Sequence, residues 1–158
     1  MENTILISWN ELQQQIDLKN FYMGESAKRK DIDADTIQSS NDDKELLRVF
    51  AQSACNQLIT AVAVRFPTIA CNVKEEYIEV VYETESTTRC HILPMLRQAI
   101  TDYIVNEVIM QWLLLRQPSM AQTYISLRSS LYSNVQFLFA KLYNTKKTRR
   151  RATDLAGI

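Results

Sequence analysis

Glycine is almost missing from this chain: Gly24 and Gly157 are the two present in 158 residues, where about 7% would be usual. Positive-φ turns, glycine-rich phosphate loops and folds built from many tight turns lack their usual residue, so helix is favoured by default. Histidine is scarcer still, and His91 is the one imidazole available for acid–base work at neutral pH. The three cysteines, Cys55, Cys71 and Cys90, are odd in number and widely spaced, which argues against a disulfide framework and fits a reducing, intracellular place of synthesis. With one histidine they offer no C-x-x-C or H-x-x-x-H spacing, so no metal site and no bound cofactor is expected. The opening residues MENTILISWNE have no basic start, and no apolar run approaches the roughly 18 residues of a membrane span. The chain reads as neither secreted nor membrane-spanning.

What is present suits one soluble globular domain: 46% hydrophobic and 23% charged residues, enough to bury a core alone. The formal charge is zero but unevenly placed. Residues 146–158 carry five cations against Asp154, a net +4, which leaves −4 for residues 1–145. Any anionic partner is therefore expected at the tail.

The pattern predicts four helices and a small hairpin. Ser8-Trp9-Asn10-Glu11 has capping-box spacing, with Ile7 and Leu12 at the staple positions, so a short first helix runs from Trp9 to about Leu18. Residues 20–40, with Lys28-Arg29-Lys30 and then Asp31, Asp33 and Asp35, read as an extended arm or linker that orders on contact. Ser40 or Asn41 caps a second helix that Pro67 stops. Ile78, Val80 and Tyr82 alternate with Tyr77, Glu79, Val81 and Glu83 as in a half-buried strand, whose partner is expected at Thr87 to Ile92. Pro94 opens a third helix to Arg116, and Pro118 a fourth to about Asn144, neighbours by virtue of the short connection. The predicted fold is mainly α: an antiparallel helical bundle of three long helices plus a short N-terminal one, with a β-hairpin at about 73–92. Residues 1–40 form an N-terminal helix and arm, 41–145 the bundle domain, and 146–158 a basic tail.

Candidate chemistry is thin. Cys90 and His91 are adjacent, and in an extended segment adjacent side chains point to opposite faces, so no nucleophile–base pair and no catalytic residue is expected. Asp31, Asp33 and Asp35 alternate like a calcium loop, but the sixth position is Thr36 and the twelfth Asp42, where glycine and glutamate are needed. Glu75, Glu76, Glu79, Glu83 and Glu85 read as a solvated strand face. The cations Lys146, Lys147, Arg149, Arg150 and Arg151, with Lys28, Arg29 and Lys30, are the candidate partner-binding residues, for an acidic protein surface or for phosphates. Ile69, Val80, Val81, Ile92, Met110 and Met120 exceed what the inner faces of one bundle need, so subunit contacts are expected around the hairpin and the turn at Pro118.

The order of elements also resembles a known class. The strand Tyr77-Ile-Glu-Val-Val-Tyr82, Leu93-Pro-Met-Leu96, Asp102-Tyr-Ile-Val105, Met110-Gln-Trp112, a proline-started helix through Ala121 and Tyr124, and Lys146-Lys-Thr-Arg-Arg-Arg151 resemble small neck proteins, of the head-to-tail connector or adaptor type, of tailed phages and prophages of the Bacteroides group. The likeness covers about residues 41–152. It implies a structural virion protein without enzymatic activity or small-molecule substrate, forming a homo-oligomeric ring between portal and tail in the virion neck, assembled in the host cytoplasm. Tail-completion or another neck-ring role is the alternative within that class. A nucleic-acid-binding regulator, gripping DNA through the basic tail, is the alternative outside it.

Overall fold

The computed structural model describes residues 2–30, 39–84 and 90–142. The order is β1 (Glu2–Ser8), α1 (Trp9–Lys28), a 3₁₀ turn at Asn41–Asp43, α2 (Lys44–Val62), β2 (Ala70–Val73), β3 (Tyr77–Glu83), a 3₁₀ turn at Cys90–Ile92, α3 (Leu93–Arg116), a 3₁₀ turn at Pro118–Met120 and α4 (Gln122–Leu142). The chain is mainly helical with a three-stranded antiparallel sheet in the order β1-β3-β2. No helix among the described residues is long and apolar enough to cross a membrane.

α3 is the axis of the molecule. Fourteen of its 24 residues are buried, against four in α4, and α1, α2, α4 and β1 all pack on it. A helix that is apolar nearly all round is one surrounded by other elements. Its neighbour α4 runs back along it, since Asn106, Glu107 and Tyr103 meet Tyr124, Arg128 and Tyr132 in turn. Pro94 stands in the first turn, where its missing N–H costs nothing.

Three expectations are corrected. The first helix is not short: it continues ten residues past Leu18, because Asn20, Gly24 and Ala27 extend the buried stripe begun by Trp9, Leu12 and Ile16. Residues 20–28 are thus helix rather than arm, and Asp31, Asp33 and Asp35 lie outside the described residues. The N-terminal segment also belongs to the core, with Ile5 and Ile7 buried beside Ile78, Val80 and Tyr82.

The second correction concerns the hairpin. β3 does pair with a neighbour in sequence, but that neighbour is β2, upstream, closed by the Lys74 N–H donating to the Tyr77 carbonyl (2.8 Å). Its other partner is β1, with Glu2 opposite Glu83 and Ser8 opposite Tyr77. Residues 90–92 form a 3₁₀ turn, so the expected strand at Thr87 to Ile92 does not form there; residues 85–89 are outside the described set. The alternation within β3 is as expected, with Ile78, Val80 and Tyr82 buried and Tyr77 and Glu83 exposed. The third correction is a cap. Ser8 does stand at the N-cap of α1 but makes no side-chain cap bond, and the Glu11 carboxylate, which would complete the box by accepting from the Ser8 N–H, is turned to Arg97. At Ser40 the cap chemistry is present, with the Asp43 carboxylate accepting from the Ser40 N–H (2.7 Å) and hydroxyl (2.9 Å).

Candidate interaction site

Among the described residues, the features able to meet another molecule are grooves and exposed apolar clusters. The first groove, about 500 Å³, lies between the outer edge of β1 and the start of α3. Ile5, Leu93 and Pro94 wall it and Tyr82 forms its floor. Tyr82 is held by edge-on ring contacts with Phe66 and Phe139 at 6.1 and 5.6 Å, and its buried hydroxyl has no hydrogen-bond partner among the described residues. Burial raises its pKa above the ordinary tyrosine value. At one end Arg97 donates from Nε to the Leu6 carbonyl (3.1 Å) and forks onto Glu11 at 2.6 and 3.2 Å. That fork, chiefly through its hydrogen bonds, holds the Glu11 carboxyl below its usual range.

The second groove, about 380 Å³, lies where α2, α3 and α4 converge, lined by Gln57, Thr60, Tyr103, Arg128 and Tyr132. Beneath it is Glu107, with no exposed surface, its Oε1 2.7 Å from Arg128 Nε. Arg128 also donates to Gln57 Oε1, which accepts from the Tyr103 hydroxyl as well (2.9 Å). Burial raises the Glu107 pKa, against the pull of Arg128, and burial followed by the Glu107 charge pushes Tyr103 up to about 12. The contact with Arg128 is an ion pair by distance, and among the described residues neither Glu107 oxygen has a further hydrogen-bond partner. Lying under Arg128, the carboxylate cannot touch a molecule in the groove, and its evident work is to fix α4 against α3.

The apolar surface also departs from expectation. Ile69, Val80, Ile92 and Met110 are buried, and Val81 and Met120 partly so, because the third strand and the all-round packing of α3 use them internally. The exposed apolar residues are different ones in nearby places. Leu114, Leu115, Ile125 and Leu127 flank the turn at Pro118, with Leu115 60% exposed. Leu6, 52% exposed, and Tyr77 stand on the outer face of the sheet. A third cluster, Leu18, Phe21 and Tyr22, lies on α1.

Of the sequence-predicted binding residues, Lys28 ends α1, pairing with Glu25 at 2.9 Å, and Arg29 and Lys30 follow it, exposed. Lys146, Lys147, Arg149, Arg150 and Arg151 lie outside the described residues. His91 is exposed in the 3₁₀ turn rather than in an extended segment. The thiols of Cys55 and Cys71 are free, buried and in mutual contact, which with burial pushes the Cys71 pKa far up. No cluster of three metal-ligating side chains occurs among the described residues. No known protein family, curated protein or solved structure matches this chain.

Proposed function

We propose that this chain is a structural assembly protein, a head-to-tail connector or adaptor ring subunit joining portal and tail in a phage neck. The observation that carries the reading is a pair of separate contact surfaces. The sheet edge and Leu6 sit beside the N-terminal end of α3, while Leu114, Leu115, Ile125 and Leu127 surround its C-terminal end. At 1.5 Å per residue the 24 residues of α3 hold these surfaces roughly 35 Å apart. A subunit that joins two different structures needs two such surfaces on a rigid spacer, and a helix packed on all sides, with the others as an antiparallel bundle around it, is a stiff one. The sequence resemblance supports the same reading and supplies its setting, the virion neck.

The test is the mass and symmetry of the assembled species, by native mass spectrometry and particle imaging of the full chain alone and with its candidate portal partner. A ring is expected, and Leu114, Leu115, Ile125 and Leu127 changed to Ser should detach one neighbour without unfolding the subunit. A monodisperse monomer at high concentration in both settings would reject the reading. The exposed Arg29 and Lys30 favour one second reading, a nucleic-acid-binding regulator whose tail grips phosphates. Steeply salt-dependent DNA binding by a non-assembling chain would select it.

A further inference from the structure

The sheet is closed at one edge and open at the other. At β2 the Gln52 side chain stands in for a strand: its Oε1 accepts from the Val73 N–H (3.0 Å) and its Nε2 donates to the Cys71 carbonyl (3.4 Å). At β1 the Trp9 N–H donates to the Glu76 carbonyl (2.8 Å), so alternation turns the backbone groups of Ile5 and Ile7 toward β3 and those of Glu2, Thr4 and Leu6 outward. Arg97 takes the Leu6 carbonyl, and among the described residues no side chain closes the edge at Thr4. An open edge of this kind is a template for another strand.

The surroundings say what that strand should carry. A fourth strand on β1 would lay alternate side chains into the groove floored by Tyr82, whose fully buried hydroxyl is without a hydrogen-bond partner among the described residues. The remaining side chains would lie on the outer face beside Glu2 and Glu83, which stand directly opposite each other with no cation paired to either among the described residues. Like charges in register are unfavourable, and a cationic neighbour relieves them. The run Lys146 to Arg151 is the matching segment in this sequence. Its point of departure also fits: α4 packs by its end against the turn at 90–92, and Phe139 contacts Tyr82, so the chain leaves Leu142 level with the groove. Copies in a cyclic ring share one height, so donor and acceptor must lie at the same level of the subunit.

We propose that the segment Lys146–Arg151 of a second copy adds to the open edge of β1 as a fourth strand, with Lys147, Arg149 and Arg151 on the outer face, where a cation beside Glu2 relieves its repulsion from Glu83, and with Thr148 and the aliphatic stems of Lys146 and Arg150 along the groove. Main-chain pairing holds the segment and the alternate side chains choose it. The contact is heterologous, so it closes around a ring. This deepens the ring-subunit reading and rests on it.

The experiment uses three full-length chains: wild type, one with Arg149, Arg150 and Arg151 changed to Glu, and one with Glu2 and Glu83 changed to Lys. Oligomer mass is read by native mass spectrometry across concentration and salt, and hydrogen exchange is followed at Thr4. The expected result is a salt-sensitive wild-type oligomer, association weaker by about tenfold or more in each variant alone, and recovery when the two variants are mixed, since each then offers the other a matching strand or edge. All exchanged residues are exposed or lie beyond α4, and an unchanged circular dichroism spectrum verifies the fold. Wild-type assembly that neither variant weakens would overturn this contact while leaving the ring reading in place. A monomer in which Thr4 is protected only when the arginines are present would show the segment closing on its own copy, overturning the second-copy proposal. A monomer with Thr4 unprotected throughout would reject both the contact and the ring.

Discussion

Arg128 on α4 approaches Glu107 on α3 from the solvent side, Nε to Oε1 at 2.7 Å, with 43% of the arginine side chain exposed and none of the glutamate. The pair is therefore asymmetric. Removing the arginine strands a buried carboxylate, whereas neutralising the carboxylate leaves a guanidinium that water can still reach.

The first prediction follows from that asymmetry. Arg128→Met should destabilise the fold by about 2–3 kcal/mol, less than a fully enclosed pair because of the exposure, while Glu107→Gln should be neutral or mildly stabilising at pH 7. Denaturant midpoints of the two variants decide it. Equal losses would mean that the pair acts symmetrically and that burial of Glu107 is not what matters.

A second prediction concerns pH. Because burial raises the Glu107 pKa in the folded state, the native protein holds that proton to higher pH than the unfolded chain does. Its contribution to stability is complete below the ordinary glutamate value and declines as pH rises through the folded one. Glu11 and Asp43 run the other way, their folded values being lowered chiefly by hydrogen bonds from Arg97 and Ser40, so what they add is lost as the solution is acidified. Both lie at the surface, partly covered, where solvent screens them, and their effect is small. Measured against wild type, Glu107→Gln should gain relative stability as pH rises from the ordinary glutamate range. A difference that stays flat over that rise would show that Glu107 titrates as in the unfolded chain.

Gln52 gives a third. Gln52→Ala removes both bonds that close the β2 edge, leaving the Val73 N–H and the Cys71 carbonyl to water or to another chain. A loss of about 1–2 kcal/mol is expected, with new concentration-dependent association through that edge. Size-exclusion chromatography showing no new association would mean the edge is shielded by something besides Gln52.

Asn20 gives a fourth. It is buried on α1, and among the described residues neither its oxygen nor its side-chain nitrogen is hydrogen-bonded. Replacing it by Leu should raise the stability of the isolated chain by about 1–2 kcal/mol, since an unsatisfied amide is removed and apolar surface is buried. A lowered thermal midpoint would instead reveal either a polar partner for the amide or a site too tight for leucine; Asn20→Ala, which is smaller, separates the two.

Local order was legible because it is local. Proline at 94 and 118, the cap at Ser40 and the alternation of Ile78, Val80 and Tyr82 each mark their own few residues; α3 and β3 stand where those marks put them, whereas Ser40 and Pro118 open 3₁₀ turns from which α2 and α4 start a few residues later. The length of α1 was not legible, although its stripe continues, because the continuation is written in Asn20, Gly24 and Ala27 rather than in large apolar side chains. In β1, Ile5 and Ile7 alternate with polar residues, but seven residues of alternation name no partner. The partner is β3, some 75 residues away, and only the folded chain brings Ser8 opposite Tyr77.

The same division holds for the candidate contacts. Composition and periodicity by themselves determined a mainly helical chain with a basic run set against an acidic remainder. Which apolar residues face outward was decided by tertiary packing, since the third strand and the surrounded α3 absorb Val80, Ile92 and Met110 and leave Leu6, Leu115 and Leu127 at the surface. So was the difference between the two sheet edges, which depends on Gln52 of α2 reaching one and Arg97 of α3 touching the other at a single carbonyl. Hydrophobic spacing fixes the face of an element, but the neighbour on that face, and the backbone groups left over, follow from pairings between residues far apart in sequence.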